Sequence, residues 1–270
     1  MKSQPDFVLS VEELALAASL VGHPEDAAVI LRASLGEISQ DEARARLDAA
    51  GHSLMARGWI VAGSSDSASP QLRADLKSVL EGVAGTQFTL QYEKRTLPLP
   101  AQAVSFHFGL NRRVLSHVIT HGSVHNLGWV TTQDVLITGM AFFDVPKEEW
   151  SVEMSPITIP SEPFGDVYKA ETPQERQQAM AVLGLPDDLR KMLEEDFSQA
   201  SYRGAIVLLQ YDEQRRPFSR SGAFVLKGSR RVWLFAAPEP DAEVLRIEPF
   251  TPETFRSLVQ RLLILGEGRA

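Results

Sequence analysis

The sequence predicts an α+β protein. It reads as a central antiparallel sheet built from two pseudo-two-fold related helix–four-strand–helix units, carrying an N-terminal helical layer of winged-helix type. Three observations predict this. Apolar residues recur at helical spacing through the first third of the first hundred residues and beyond. Two later stretches, Leu72 to Phe143 and Leu185 to Leu265, then switch between helical and strand periodicity in the same order. Finally, the pairs Tyr92/Tyr211, Gly109/Gly228 and Thr132/Thr251 keep one offset of 119 residues, which marks an internal duplication. The expected divisions are 1–62 for the helical layer, 71–145 for the first sheet unit, 146–172 for a proline-rich connection and 173–270 for the second sheet unit, all in one body.

Each element has a local reason. Ser10 with Glu13 forms a capping-box pattern ahead of Leu14, Leu16, Ala17 and Leu20, so a helix begins there and stops near Gly22-His23-Pro24. Glu25 to Leu35 continues as a second helix, ended by Gly36, and Ser39 with Glu42 opens a third that runs to Arg57-Gly58. Trp59-Ile60-Val61 follows as a strand, completing the winged-helix layout. The span from Gly63 to Pro70 has linker composition. The first copy then gives Leu72, Leu76, Val79, Leu80 and Val83 as a helix, strands over Gln87 to Tyr92, Ala103 to Leu110, Val114 to Thr120 and Val124 to Trp129, and a helix over Thr132 to Phe143. Two prolines in Leu97-Pro98-Leu99-Pro100 remove ladder donors, so Glu93 to Gln102 reads as a hairpin loop.

Ile157 and Ile159 suggest an edge strand inside the connection, and Thr172-Pro173-Gln174-Glu175 caps a helix that breaks at Gly184-Leu185-Pro186 and resumes through Phe197. The second copy places strands over Ala205 to Tyr211, Ser221 to Lys227, Arg231 to Ala236 and Val244 to Ile247, with a closing helix over Thr254 to Leu265. Ala205 to Tyr211 reads as an apolar edge strand through which two chains could pair as a homodimer.

Composition narrows the function. The chain has 270 residues, 44% of them hydrophobic, enough to bury a sizeable core. Its formal net charge of −8 repels a phosphate backbone and argues against a nucleic-acid partner. Without cysteine there is no disulfide, thiol nucleophile or thiolate metal site. The opening Met1-Lys2-Ser3-Gln4-Pro5-Asp6 lacks an apolar signal core, and the most apolar run, Val135 to Val145, is too short to span a bilayer, so no membrane partner and a cytoplasmic location are expected.

No catalytic motif emerges. His117 and His121 share a strand face and His125 could fold back towards them, which makes the three of them candidate metal ligands, with His107 nearby. No carboxylate or cysteine accompanies them at ligand spacing, so sheet-face histidines without metal are the expectation. There is no Gly-x-Ser-x-Gly elbow, and Ser64 stands where a phosphate loop between Gly58 and Gly63 would need lysine. Acidic clusters such as Asp187-Asp188 and Glu194-Glu195-Asp196 read as solvated faces. No enzyme activity and no cofactor are expected. What remains is a set of basic residues at hairpin connections: Lys94, Arg95, Arg112 and Arg113 in the first copy, Arg215, Arg216, Arg220, Arg230 and Arg231 in the second. With Tyr211 and Phe218 they form a candidate docking surface for an acidic or helical protein, because arginine and aromatic side chains are the common anchors of interfaces.

The helical layer ending in Leu-x-x-Arg-Gly-Trp-Ile-Val, the strand Gln-Phe-Thr-Leu-Gln-Tyr-Glu, the hairpin Gly-Leu-Asn-Arg-Arg-Val-Leu-Ser-His-Val and the helix from Val-Thr-Thr-Gln-Asp-Val-Leu resemble the EspG family, cytosolic chaperones of type VII (ESX) secretion. Gly-Ala-Ile-Val-Leu-Leu-Gln-Tyr-Asp, Ser-Gly-Ala-Phe-Val-Leu, Arg-Arg-Val-Trp-Leu-Phe and Ile-Glu-Pro-Phe-Thr-Pro-Glu-Thr-Phe are similar to the closing sheet and helix of that family. The resemblance is one of layout over nearly the whole chain. It implies a central antiparallel sheet with pseudo-two-fold symmetry and a noncatalytic module that holds a helical client, in that family a PE-PPE pair, soluble in the cytoplasm. One departure is visible: the sheet loop that is typically long in the family is short and proline-stiffened here, at Glu93 to Gln102. The alternative is a transcriptional regulator with a winged-helix N-terminus and a sheet-forming sensor domain.

Overall fold

In the computed structural model, which describes residues 6–61, 70–96, 98–109, 113–146, 156–170, 172–212, 216–229, 231–240 and 242–268, the chain opens with a strand, β1 (Phe7–Ser10). Four residues of alternation are too few to announce it, yet Phe7 and Leu9 are buried while Val8 faces outward. Ser10 then caps α1 (Val11–Leu20) through the reciprocal box with Glu13 that the sequence predicts. The helical layer continues with α2 (Pro24–Leu35) and α3 (Gln40–Ala56), the latter capped by the Ser39 hydroxyl. Two short strands, β2 (Ile60–Val61) and β3 (Gln71–Leu72), pair antiparallel after α3, so Leu72 lies in a strand and not at the start of the next helix.

The first helix–four-strand–helix run comprises α4 (Ala74–Ala84), β4 (Thr86–Arg95), β5 (Gln102–Gly109), β6 (Val114–Thr120), β7 (Val124–Val130) and α5 (Thr132–Phe142). Between the runs lie β8 (Ile157–Pro160), α6 (Ser161–Lys169) and α7 (Pro173–Ala181). Proline-rich composition hides α6. The second run comprises α8 (Asp187–Ser198), β9 (Tyr202–Tyr211), β10 (Pro217–Lys227), β11 (Val232–Ala236), β12 (Val244–Pro249) and α9 (Pro252–Glu267). The same order of elements therefore occurs twice, but the landmarks do not all coincide. Tyr92 is a buried residue inside β4, whereas Tyr211 is the half-exposed last residue of β9. Strands of equal length set side by side do not align those tyrosines.

The chain packs as two compact units, Met1–Gln87 with Val104–Thr131 and Phe88–Ala103 with Thr132–Ala270. In the first, the strand order is β1-β7-β6-β5, antiparallel throughout. One face of this sheet carries Phe7, Leu9, Leu115 and Leu127 against Leu14, Leu54, Leu76 and Leu80 of the helices. Burial of each such side chain contributes on the order of 1.5–3 kcal/mol, so helices and sheet hold each other. Glu13 is buried in this layer, where its carboxylate accepts from Ser53 Oγ at 2.7 Å and from Arg57 Nη1 at 2.9 Å.

In the second unit the order is β4-β9-β10-β11-β12-β8, again antiparallel. Ile157 and Ile159 do form an edge strand, β8, paired with β12. Ala205 to Tyr211 does not form an edge. It lies in β9, hydrogen-bonded to β4 on one side and β10 on the other, so its ladder groups are satisfied and no second chain can pair there. All five residues of β11 are buried, which requires cover on both faces. A second core gathers Phe164, Leu189, Leu193, Phe197, Trp233 and Phe235. Elsewhere in the unit α5 and α9 close on Tyr92, Phe143, Phe250 and Phe255, whose rings meet at centroid distances of 5.6–5.9 Å. Gly139 on α5 makes this approach feasible, since a Cβ there would run into Phe255 and Tyr92.

Candidate functional site

The structure sorts the eleven candidate docking residues by what each side chain already does. Arg112, Arg215 and Arg230 lie outside the described residues, and the side chain of Arg220 is also outside the description. Lys94 and Arg95 belong to the end of β4 and not to a hairpin loop, because the ladder with β9 continues to the pair Arg95↔Arg203. Lys94 is only 16% exposed; its ammonium donates to the Phe142 carbonyl at 2.6 Å and lies 5.3 Å from the Tyr202 ring centroid. It fastens α5 to the sheet.

Arg231 is equally committed. Its Nε donates to Asp196 Oδ2 at 2.6 Å and its Nη2 to Glu195 at 3.1 Å, while the indole of Trp233 donates to the same Asp196 oxygen at 2.7 Å. Asp196 is fully buried on α8, and Gly228 at the β10–β11 turn gives it room, since any Cβ at 228 would collide with the carboxylate. This clamp ties α8 to the hairpin.

The other candidates face solvent. Arg216 is 74% exposed on its side chain and pairs with Asp212 at 2.8 Å, closing the β9–β10 turn. Tyr211 shares a 2.7 Å hydrogen bond with Thr89, and Phe218 is 39% exposed. These three gather at one end of the β9–β10 ladder, where Pro217 pairs with Tyr211; Lys94, Arg95 and Arg231 belong to its other end, near Tyr202 and Lys227. Ten residues of strand separate the two ends by about 30 Å. The basic hairpins of this unit therefore make two patches. In the first unit, Arg113 stacks on Trp129 at 3.7 Å and lines an open cavity of about 430 Å³ with Asp6, Asp75 and Ser78.

The histidines are regrouped. His121 is not part of the strand face: β6 ends at Thr120, and His121 turns left-handed and exposed with φ 52°. Its place is taken by His107, so that β5, β6 and β7 each contribute one ring, His107, His117 and His125, at successive centroid distances of 5.8 and 5.1 Å. His117 Nε2 and His125 Nδ1 share a hydrogen bond of 2.8 Å. Burial drives the pKa of His107 down to about 4, and burial together with repulsion from His107 and His125 drives that of His117 to about 3. Burial also lowers that of His125. The stack is thus neutral at pH 7. Among the described residues no group of three or more histidines and carboxylates has the geometry to hold a metal ion.

A family model described as "Uncharacterised protein YfjC" matches residues 6–259. The chain belongs to that family. No curated protein matches its sequence. In three dimensions it is similar to the Mycobacterium tuberculosis type VII secretion system chaperone EspG5, solved in complex with the PE25-PPE41 dimer: the TM-score is 0.65 at 14% identity, over 96% of this chain and 95% of that chain. This YfjC-family chain thus has the fold of EspG5. Within that fold, sequence reasoning misses Arg176 and Arg203, whose guanidinium groups share the Ala170 carbonyl. Arg203 stands among neutral neighbours and Arg176 beside Glu175 in a helix cap, and their distance in sequence hides that they meet at Ala170.

Proposed function

We propose that the chain is a noncatalytic, cytoplasmic protein-binding module of EspG type, a chaperone or adaptor that holds a helical client protein soluble, PE-PPE-like if the likeness extends to the client. The observation that carries this reading is similarity of fold, over 96% of this chain, to a chaperone solved in complex with the PE25-PPE41 dimer. The side-chain chemistry is in keeping with it. The buried polar groups serve packing: Asp196, Glu13 and Lys94 all make internal contacts, and His117 and His125 hydrogen-bond to one another. The exposed Arg216 and Phe218 at the β9–β10 turn supply anchor types suited to a partner.

The regulator reading has one feature in its favour, the β2–β3 wing after α3. Against it, Arg46 of α3 is held by Glu12 and Glu42 at 3.1 and 2.9 Å and Arg57 by Glu13, so these cations are neutralised before they could meet phosphate. The test is affinity purification of the tagged full chain from its native cytoplasm at moderate salt, followed by mass spectrometry. A stoichiometric helical partner is the expected outcome; a bare protein that shifts duplex DNA in low-salt gels would replace this reading with the regulator.

A further inference from the structure

Three arginines of the second compact unit gather where no carboxylate pairs with any of them among the described residues. Arg95 ends β4 and stands directly opposite Arg203 of β9. Like charges in that cross-strand position repel. Arg203 Nη1 donates to the carbonyls of Tyr168 at 2.8 Å and Ala170 at 3.5 Å, while Arg176 Nη2, from α7, donates to the same Ala170 carbonyl at 3.2 Å. Both guanidinium groups lie beside the Phe197 ring, 5.4 and 5.6 Å from its centroid. Arg176 is 7% exposed, and its Nε is buried without a hydrogen-bond partner.

Cations at a helix C-terminus are favourable, and one arginine at Ala170 would serve α6 in that way. Two at one carbonyl, a third across the ladder and an orphaned buried donor exceed that need. Desolvation lowers the pKa of both Arg176 and Arg203, and repulsion from Arg203 on Arg176 and from Arg95 on Arg203 lowers them further. Among the described residues the Arg176 and Arg203 guanidinium groups meet neutral carbonyls and aromatic rings, and a negative group is what would complete the arrangement.

We propose that Arg95, Arg203 and Arg176 form a carboxylate-binding anchor that takes an aspartate or glutamate side chain of the bound client. This deepens the reading above, on which the identity of the carrier rests; the anchor itself rests on the geometry. Arg95 is exposed and Arg203 half-exposed, so their planar forks can receive both oxygens of a carboxylate, and Arg176 beneath strengthens the field from a less polar setting.

The test uses the full chain and a blocked tetraglutamate peptide, titrated at constant ionic strength by calorimetry and thermal shift, with chloride and inorganic phosphate as comparison anions. The expected result is saturable stabilisation by the peptide, weakened roughly tenfold in R95Q and lost in R95Q/R203Q. The Arg95 residue is exposed at the end of β4, and R95Q leaves its backbone pairing with Arg203 in place, so the variant keeps the fold. A wild-type chain that responds no more to peptide than to chloride, or only to phosphate, overturns the proposal, as does an R95Q chain that responds like wild type. A response confined to E171Q would assign the anchor to the chain's own Glu171 and overturn it too. Saturable peptide binding without client capture would keep the anchor and remove the chaperone reading; capture without a peptide response would do the reverse.

Discussion

Both compact units bury a carboxylate beside an arginine, Glu13 with Arg57 in the first and Asp196 with Arg231 in the second, but only the first also buries a stack of imidazoles. The first lines β5, β6 and β7 with three imidazoles that are stable because burial keeps them neutral. The second buries the Asp196 carboxylate of α8 against Arg231 and the Trp233 indole. A neutral stack costs little at pH 7 and becomes a liability when protons are plentiful. A paired buried group fails if either partner is lost. The contrast predicts which change harms which unit.

The largest effect is expected at the clamp. Asp196→Ala leaves the Arg231 guanidinium with Glu195 and removes the Asp196 acceptor of the Trp233 N–H, and should lower unfolding free energy by about 3 kcal/mol in denaturant titrations. Asp196→Asn keeps an acceptor for the indole and should cost less; equal losses would mean that packing and not charge sets the clamp. Next is Gly139→Ala. Its added methyl collides with Phe255 and Tyr92, so about 1–3 kcal/mol should be lost while the m-value stays constant.

Acid should then separate the units. Below pH 6.5 the unfolded chain binds protons that the folded chain refuses until about pH 4 at His107 and about pH 3 at His117. Stability present above pH 6.5 is therefore lost as the pH falls through this window, by roughly 1–2 kcal/mol per histidine at pH 5. Comparing denaturation midpoints at pH 7.5 and 5 should show a drop that the double variant H107Q/H117Q flattens. An unchanged slope in that variant would place the acid sensitivity elsewhere.

The smallest effect on stability should come from the basic pair that contains the exposed Arg216. Changing Arg215 and Arg216 to Glu should alter unfolding free energy by no more than about 0.5 kcal/mol, yet weaken client capture in co-purification. Capture that survives the change would clear the β9–β10 turn of a docking role.

The sequence made some of this legible for plain reasons. Ser10 with Glu13 and Thr172 with Glu175 cap their helices as the local pattern requires, and β6 runs from Val114 to Thr120 where period-two alternation places it. Local signals report local structure. The strand β1 was hidden because four residues of alternation carry little information, and α6 because its helix contains Pro163 among turn-forming neighbours. The docking set was only partly readable. A lysine in a basic pair gives no sign that its ammonium will bond the Phe142 carbonyl, and Arg231 shows in sequence nothing of the buried Asp196 that claims it. Pairing of Arg95 with Arg203 depends on register across more than a hundred residues, which no local pattern fixes.

The account stands most directly on whether the chain keeps a client in solution. The measurement is the soluble fraction of the co-purified helical partner, expressed alone and together with the full chain, after clarification at physiological salt. The account predicts a partner that is insoluble alone and recovered in a stoichiometric complex when the chain is present. A partner equally soluble in both conditions would contradict it.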